Sequence, residues 1–140
     1  MKSGKHSKAQ VSVELLVTLG VVLAFALPVL LLLLSISQFG FENASVAQAE
    51  GAAKKLADNI NEVHAQGGIT KRVVLMSLPL NTESLSVGEN EVVVKVKISA
   101  GEYEAVSPMF GKVKAFELKQ KSGPISLVLQ NNGNEVEISG

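Results

Sequence analysis

The residues whose types and spacing could do chemistry lie at positions 8–14, which read Lys-Ala-Gln-Val-Ser-Val-Glu. A run without charged side chains, residues 15–41, follows at once. A carboxylate beside a membrane-length apolar segment is costly unless a cation partners it. Glu14 therefore predicts an ion pair. The small residue Ala9, at the end of a basic leader, indicates a chain that is cut near that point and then packs against copies of itself.

The charge of the chain is balanced overall but unevenly distributed. Lys2, Lys5 and Lys8 lie in residues 1–9, which contain no acidic residue. By the positive-inside rule, these lysines hold the leader in the cytoplasm and leave the chain beyond the apolar run outside. The net charge is zero, which does not favour nucleic acid as a partner. The absence of cysteine excludes disulfides and thiolate metal sites.

The elements that must position residues 8–14 are helical. As a helix, residues 15–41 would be about 40 Å long, enough to cross a hydrocarbon core of about 30 Å. Pro28 predicts a kink or loosened turn there. Apolar residues then recur three and four apart, which is typical of an amphipathic helix, and Gly67 and Gly68 supply a stop. This stripe comprises Val46, Ala49, Ala53, Leu56, Ile60 and Val63. We therefore expect one helix over about 10–66, membrane-spanning in its first half and amphipathic in its second.

From Ile69 onward the apolar period changes to two, which indicates strands. Residues 92–98 alternate as a half-buried strand, and residues 112–119 form a less regular one. Asn132-Gly133 is a preferred hairpin dipeptide, and a two-residue loop there would pair Leu129 with Val136 and Leu127 with Ile138. The sequence therefore predicts an α+β fold with three parts: a leader over 1–9, a long helix over 10–66 and a small antiparallel β-sheet head domain over 67–140.

The stretch from Lys8 to Glu14, followed by a long apolar run, resembles the class III signal peptide of archaeal type IV pilin-like proteins. That pattern is a basic residue, a small residue, then Gln-x-Ser-x-Glu and a hydrophobic helix. Here the residues are Lys8, Ala9, Gln10, Ser12 and Glu14. The resemblance covers about the first 35 residues and does not extend to the β domain.

The resemblance implies a processing route and a set of partners. A membrane-embedded prepilin peptidase would cleave between Ala9 and Gln10 on the cytoplasmic side, so the mature chain would begin at Gln10. A pilus assembly ATPase and a membrane platform protein would then draw subunits from the lipid into a helical homopolymer. The precursor would be a single-pass membrane protein with a cytoplasmic N-terminus, and the mature chain an extracellular surface filament used for adhesion.

An ion pair between subunits would set the register of such a polymer. Glu14 of one chain can meet the new α-amine on Gln10 of a neighbour. Two unit charges about 4 Å apart attract by about 1 kcal/mol in water and by several times more at lower effective dielectric. An unpaired carboxylate in an apolar bundle is destabilising. We therefore expect burial of the apolar residues to hold the filament and Glu14 to fix one register.

Three alternatives stay open. The chain could be a minor pilin or pseudopilin that primes a filament or a secretion apparatus. It could be a single-pass anchored binding protein that does not polymerise, but that alternative does not explain Gln10, Ser12 and Glu14. It could also be secreted after a cut behind residues 35–37, although the apolar run exceeds the usual length of a secretory signal.

Other candidate sites are weaker. Asn43 begins the only N-glycosylation triplet, a pattern that is common by chance. Glu102 and Glu104 share one face of a predicted strand, where two carboxylates are more often solvated than catalytic. His64 has no companion ligand nearby in the sequence. We find no phosphate loop, nucleophile motif or metal-ligand spacing, and we expect no enzymatic activity and no cofactor.

Overall fold

The computed structural model describes residues 4–140, with side chains from His6 onward. Lys2 and the side chain of Lys5, both assigned to the basic leader, lie outside the described residues. The helix α1 spans Gly4–Gln66 and continues through Pro28. It begins earlier than the expected start near Gln10, because residues 5–9 contain no proline or glycine that would end a helix there.

The predicted end of α1 is confirmed. Gly67 and Gly68 follow the last helical residue with φ angles of 62° and 67°. This left-handed conformation carries no steric penalty for glycine, and it turns the chain away from the helix axis. The chain then enters the first strand at Ile69.

The chain divides into two compact units, residues 1–40 and 41–140. Residues 4–40 of α1 are the described part of the first unit. The second unit, which we call the head, contains the last 26 residues of α1 and all the strands. The two units differ most in the burial of their apolar side chains.

The amphipathic stripe predicted for the second half of α1 is confirmed. Leu56, Ile60 and Val63 have no exposed surface, and neither do Ala49 and Ala53. Removing a large apolar side chain from water stabilises a fold by roughly 1.5–3 kcal/mol. This part of α1 is therefore held by the core of the head.

Within residues 4–140, seven strands form two antiparallel sheets, which confirms the predicted α+β fold. The first sheet has the order β1-β6-β7 and the second has the order β4-β3-β2-β5. The strands are β1 (Ile69–Leu78), β2 (Thr82–Val87), β3 (Glu91–Ile98), β4 (Gly101–Pro108), β5 (Phe116–Lys119), β6 (Gly123–Asn132) and β7 (Val136–Ser139). In each sheet the inward-facing residues join one apolar core with α1.

The period-two patterns are confirmed where they are regular. Val92, Val94 and Val96 of β3 are buried, while the residues between them are partly exposed. The strand expected over 112–119 is shorter in the structure, where β5 covers only the second half of that range. Before β5, Val113 makes an isolated parallel bridge to Val136 of β7.

The predicted register of the last hairpin is wrong. Leu129 pairs with Ile138 and Asn131 pairs with Val136, two residues away from the expected register. Asn131 belongs to the strand because its side chain is 2% exposed and donates to the backbone oxygen of Val63 at the end of α1, at 3.1 Å. Residues 133–135 therefore connect the two strands, instead of the predicted Asn132-Gly133 loop, and Gly133 at the start of this connection has a φ of 100°. A two-residue shift keeps the apolar side chains on their predicted face.

Candidate processing and assembly site

The residues expected to direct processing and assembly all lie on α1 and are all exposed. They are Lys8, Ala9, Gln10, Ser12 and Glu14. Gln10 and Glu14 are four residues apart and therefore share one face of the helix. Ser12 is two residues from each, so it lies on the opposite side. The structure thus places the predicted new terminus and the predicted carboxylate together.

Cleavage between Ala9 and Gln10 would change the electrostatics of this end of α1. The N–H groups of the new first turn would lose their intrahelical acceptors. The positive end of the helix dipole and a new α-amine would then both lie near Gln10. α1 has no acidic residue in its present first turn. Glu14, one turn beyond Gln10, is therefore the carboxylate nearest in sequence to the new positive end.

The apolar residues that follow Glu14 find no core within the chain. From Val11 to Phe39, every large apolar side chain is between 49% and 73% exposed. Of the described residues, α1 is the one helix long and apolar enough to cross a membrane, judged by length and composition. This segment is compatible with a membrane anchor. Such a surface requires lipid or the apolar surface of another molecule.

Two hydroxyl groups in this segment are bonded to the helix itself. Thr18 Oγ1 donates to the backbone oxygen of Glu14 at 2.8 Å, and Ser35 Oγ donates to that of Leu31 at 3.0 Å. Hydroxyl groups in hydrocarbon must have a partner, and the carbonyl one turn earlier provides it. Both side chains can therefore lie in an apolar environment without an unsatisfied donor.

In the head, one flank of α1 is fixed to the chain around β4. Glu42 accepts the backbone N–H and the Oγ of Ser99, each at 3.0 Å. Two turns further on, Tyr103 Oη donates to Glu50 Oε1 at 2.6 Å. That hydrogen bond to Glu50 raises the pKa of Tyr103, since it favours the protonated hydroxyl.

The opposite flank of α1 covers the free edge of β1. Lys55 Nζ donates to the backbone oxygen of Leu75 at 2.6 Å, and Gln48 Nε2 donates to Ser77 Oγ at 3.2 Å. An edge strand with unpaired backbone groups is a template for pairing with another chain. These side chains occupy part of that edge, so strand addition there is hindered.

An ion pair extends the same flank. Arg72 of β1 donates to both carboxylate oxygens of Glu62, with Nη2 at 2.8 Å from Oε1, and Arg72 Nη1 also donates to Asn59 Oδ1 at 3.1 Å. The Arg72 hydrogen bond lowers the pKa of Glu62, and Glu62 in turn raises the pKa of Arg72. Gln48, Lys55 and Glu62 recur every seven residues, which places them on one side of α1.

The end of α1 is held by two asparagines that the sequence patterns missed. Asn131 donates to Val63, as described above. Asn61 Oδ1 accepts the backbone N–H groups of Phe110 and Gly111, at 2.8 Å and 3.3 Å. Both contacts join residues about 50 or more positions apart. Their only sequence signal is an amide side chain beside an apolar stripe, which is too weak to identify them.

The remaining candidate sites are placed as follows. Asn43 is exposed on α1, but Ser45, the third residue of its glycosylation triplet, is 4% exposed. The triplet is therefore fully accessible only before the head folds. Glu104 forms an ion pair with Lys95 at 2.9 Å across β3 and β4, as expected for a solvated face, and this raises the pKa of Lys95. His64 has a buried Nδ1 with no hydrogen-bond partner among the described residues.

Comparisons of this chain with protein-family models, with curated proteins and with solved structures found no match. Function must therefore be inferred from the motif at residues 8–14, from the exposed apolar half of α1 and from the head with its own core.

Proposed function

We propose that this chain is a structural subunit of an archaeal type IV pilus-like surface filament. It is made as a membrane-inserted precursor, cut between Ala9 and Gln10, and polymerised through the first half of α1. The head is displayed on the outside of the filament, where it serves adhesion. The proposal depends on the resemblance of residues 8–14 to a class III signal peptide and on the properties of the two halves of α1.

One observation carries the proposal: an apolar surface without a core inside its own chain starts directly after Glu14. Each large side chain from Leu15 to Leu34 contributes roughly 1.5–3 kcal/mol when it is removed from water. Lipid satisfies this surface before assembly, and the same surface of neighbouring subunits satisfies it afterwards. A second feature agrees with this role, since the head has its own core and does not need residues 4–40 to bury one.

Glu14 has two roles in this proposal, before and after cleavage. In the precursor it lies at the edge of the bilayer, one turn beyond the bond that the prepilin peptidase cuts. In the filament it pairs with the α-amine on Gln10 of a neighbouring subunit. The pilus assembly ATPase and the platform protein supply the force that moves α1 out of the lipid.

The direct test is to shear the surface of cells that make this chain and to examine the released material. We expect filaments composed of the mature chain, seen by electron microscopy and identified by mass spectrometry. Cells that carry the chain only as single copies in the membrane would contradict the proposal.

A minor role in the same machinery would give the chain a low abundance in those filaments. A single-pass anchored binding protein is the second candidate, because a helix that can cross a membrane is all that it needs. Sedimentation of the detergent-solubilised chain distinguishes this candidate from a filament subunit, because an anchored binding protein stays monomeric.

A further inference from the structure

The head contains the only Asn-Gly pair of the chain, Asn132-Gly133. Such a pair is prone to a spontaneous reaction in which the backbone nitrogen of the glycine attacks Cγ of the asparagine side chain. A bond forms between these two atoms, the bond from Cγ to the side-chain nitrogen breaks, and ammonia leaves with the proton that the glycine nitrogen loses. Water then opens the succinimide ring to aspartate or isoaspartate. Glycine favours the attack, because it has no side chain to hinder it.

The local structure decides how fast this reaction runs. Asn132 and Gly133 are both exposed, so water has access to them. They lie at the end of β6, where the chain turns towards β7, and Gly133 has a φ of 100°. The attack needs a free N–H on Gly133 and a side chain of Asn132 that can approach it. Contacts that hold either group therefore slow the reaction.

The attacking nitrogen is held by Asn131. The N–H of Gly133 donates to Asn131 Oδ1 at 2.8 Å. Asn131 Nδ2 in turn donates to the backbone oxygen of Val63 at 3.1 Å, and the residue is 2% exposed. Both ends of this amide are therefore fixed by hydrogen bonds. Because the proton of Gly133 must leave before the nitrogen can attack, the bond to Asn131 has to break first.

The side chain under attack is held less firmly. Asn132 Nδ2 donates to Glu137 Oε2 at 3.4 Å, and Lys114 Nζ lies 3.5 Å from the other carboxylate oxygen of Glu137. The N–H of Asn132 donates to the backbone oxygen of Glu135 at 3.1 Å, which closes the turn. A contact of 3.4 Å is long for a hydrogen bond. We therefore expect Asn131 to provide the stronger restraint.

We propose that Asn132 is a site of spontaneous deamidation and that Asn131 slows the reaction by holding the N–H of Gly133. This inference does not depend on the proposed function, because it uses only contacts within the head. The product adds a negative charge near Glu135 and Glu137, and isoaspartate lengthens the backbone between β6 and β7. Like charges that lie side by side on a sheet are destabilising. Deamidation therefore weakens the last hairpin.

The test uses the purified full-length chain in detergent at mildly alkaline pH. Mass spectrometry of the peptide that contains residues 131–134 follows the replacement of ammonia by water. Several hydrogen bonds must break together in the folded chain, so it should react at least about tenfold more slowly than the denatured chain. Asn131→Ala should raise the folded rate roughly two- to tenfold, the effect of losing one hydrogen bond.

Leu56→Ala is the matched control. It destabilises the head through a cavity in the core, without touching the connection between β6 and β7. If opening of the whole head limited the reaction, Leu56→Ala would accelerate it at least as much as Asn131→Ala. If the hydrogen bond from Gly133 limits it, only Asn131→Ala accelerates it.

Each outcome decides the proposal. Acceleration by Asn131→Ala alone supports it. Equal acceleration by Leu56→Ala overturns the role of Asn131, and so does an equal rate in the folded and the denatured unmodified chain, a comparison that needs no variant. A first modification at another asparagine overturns the assignment of the site to Asn132. None of these results depends on whether the chain forms filaments.

Discussion

The two halves of α1 differ in where their apolar side chains find partners. Leu31, in the first half, is 64% exposed, whereas Leu56, in the second half, has no exposed surface. The same residue type in the same helix is therefore left to the surroundings in one half and buried by the chain itself in the other. This difference teaches that the second half of α1 is a structural element of the head, whereas the first half offers its apolar surface to the surroundings, which is the surface that we propose for assembly.

Glu14→Gln should give the largest effect on this comparison. It keeps the side-chain shape but removes the charge that we propose to pair with the α-amine of Gln10, so we expect loss of filaments with cleavage retained. Electron microscopy of sheared cells and the mass of the mature chain measure the two effects. Glu102→Gln makes the same change on the exposed face of β4 and should leave filaments intact. Normal filaments from Glu14→Gln would refute the pairing.

Leu56→Ala and Leu31→Ala compare the two halves directly. Leu56→Ala creates a cavity in the core and should lower the free energy of unfolding of the head by about 2–5 kcal/mol. Leu31→Ala should leave it unchanged. The fluorescence of Tyr103, the only tyrosine in a chain without tryptophan, reports unfolding in detergent. Equal losses from the two variants would show that the head depends on the first half of α1.

Asn131→Ala tests the contact that sets the last hairpin. It removes the hydrogen bond to Val63 and leaves a buried carbonyl without that donor, which should cost about 1–3 kcal/mol. Asn132→Ala is the matched control, because Asn132 is the next residue and its side chain is exposed. Denaturant unfolding of the two variants provides the measurement, and similar stabilities would contradict the role of Asn131.

Glu62→Gln should give the smallest effect, on the pH dependence of the head. The folded pKa of Glu62 lies below its ordinary value near 4.5, so its contribution is present above that value and is lost as the pH falls through the folded pKa. The variant should therefore lose stability less steeply on acidification. Thermal unfolding between neutral and acidic pH measures this. Glu135→Gln, without an ion pair to lose, should follow the unmodified chain.

Local patterns predicted most of the fold, because they depend on residues close in sequence. The stripe through Leu56 and Ile60 gave the buried face of α1, Gly67 its end, and the alternation at 92–96 a strand. The hairpin register could not be predicted, because it depends on a hydrogen bond from Asn131 to Val63. The hydrogen bond from Lys55 to the edge of β1 could not be predicted for the same reason, because it also joins residues that are distant in the sequence.

The motif of the candidate site can be read from the sequence, and its role in processing and assembly stays a prediction. The order of residue types from Lys8 to Glu14 indicated processing, and helical spacing placed Gln10 beside Glu14. The exposure of Phe110, which is 89%, had no signal in the sequence, because one phenylalanine between two strands is as compatible with a core as with a surface. Its exposure depends on the path that Asn61 imposes on the chain.

The most direct test is the mass of the mature chain isolated from surface filaments. In the proposed assembly route, a subunit leaves the lipid and packs against its neighbours only after the basic leader is removed, so the chain should begin at Gln10. A chain that keeps Met1 or Lys2 and remains in the membrane would contradict polymerisation, and one that begins at Gln38 would indicate ordinary secretion.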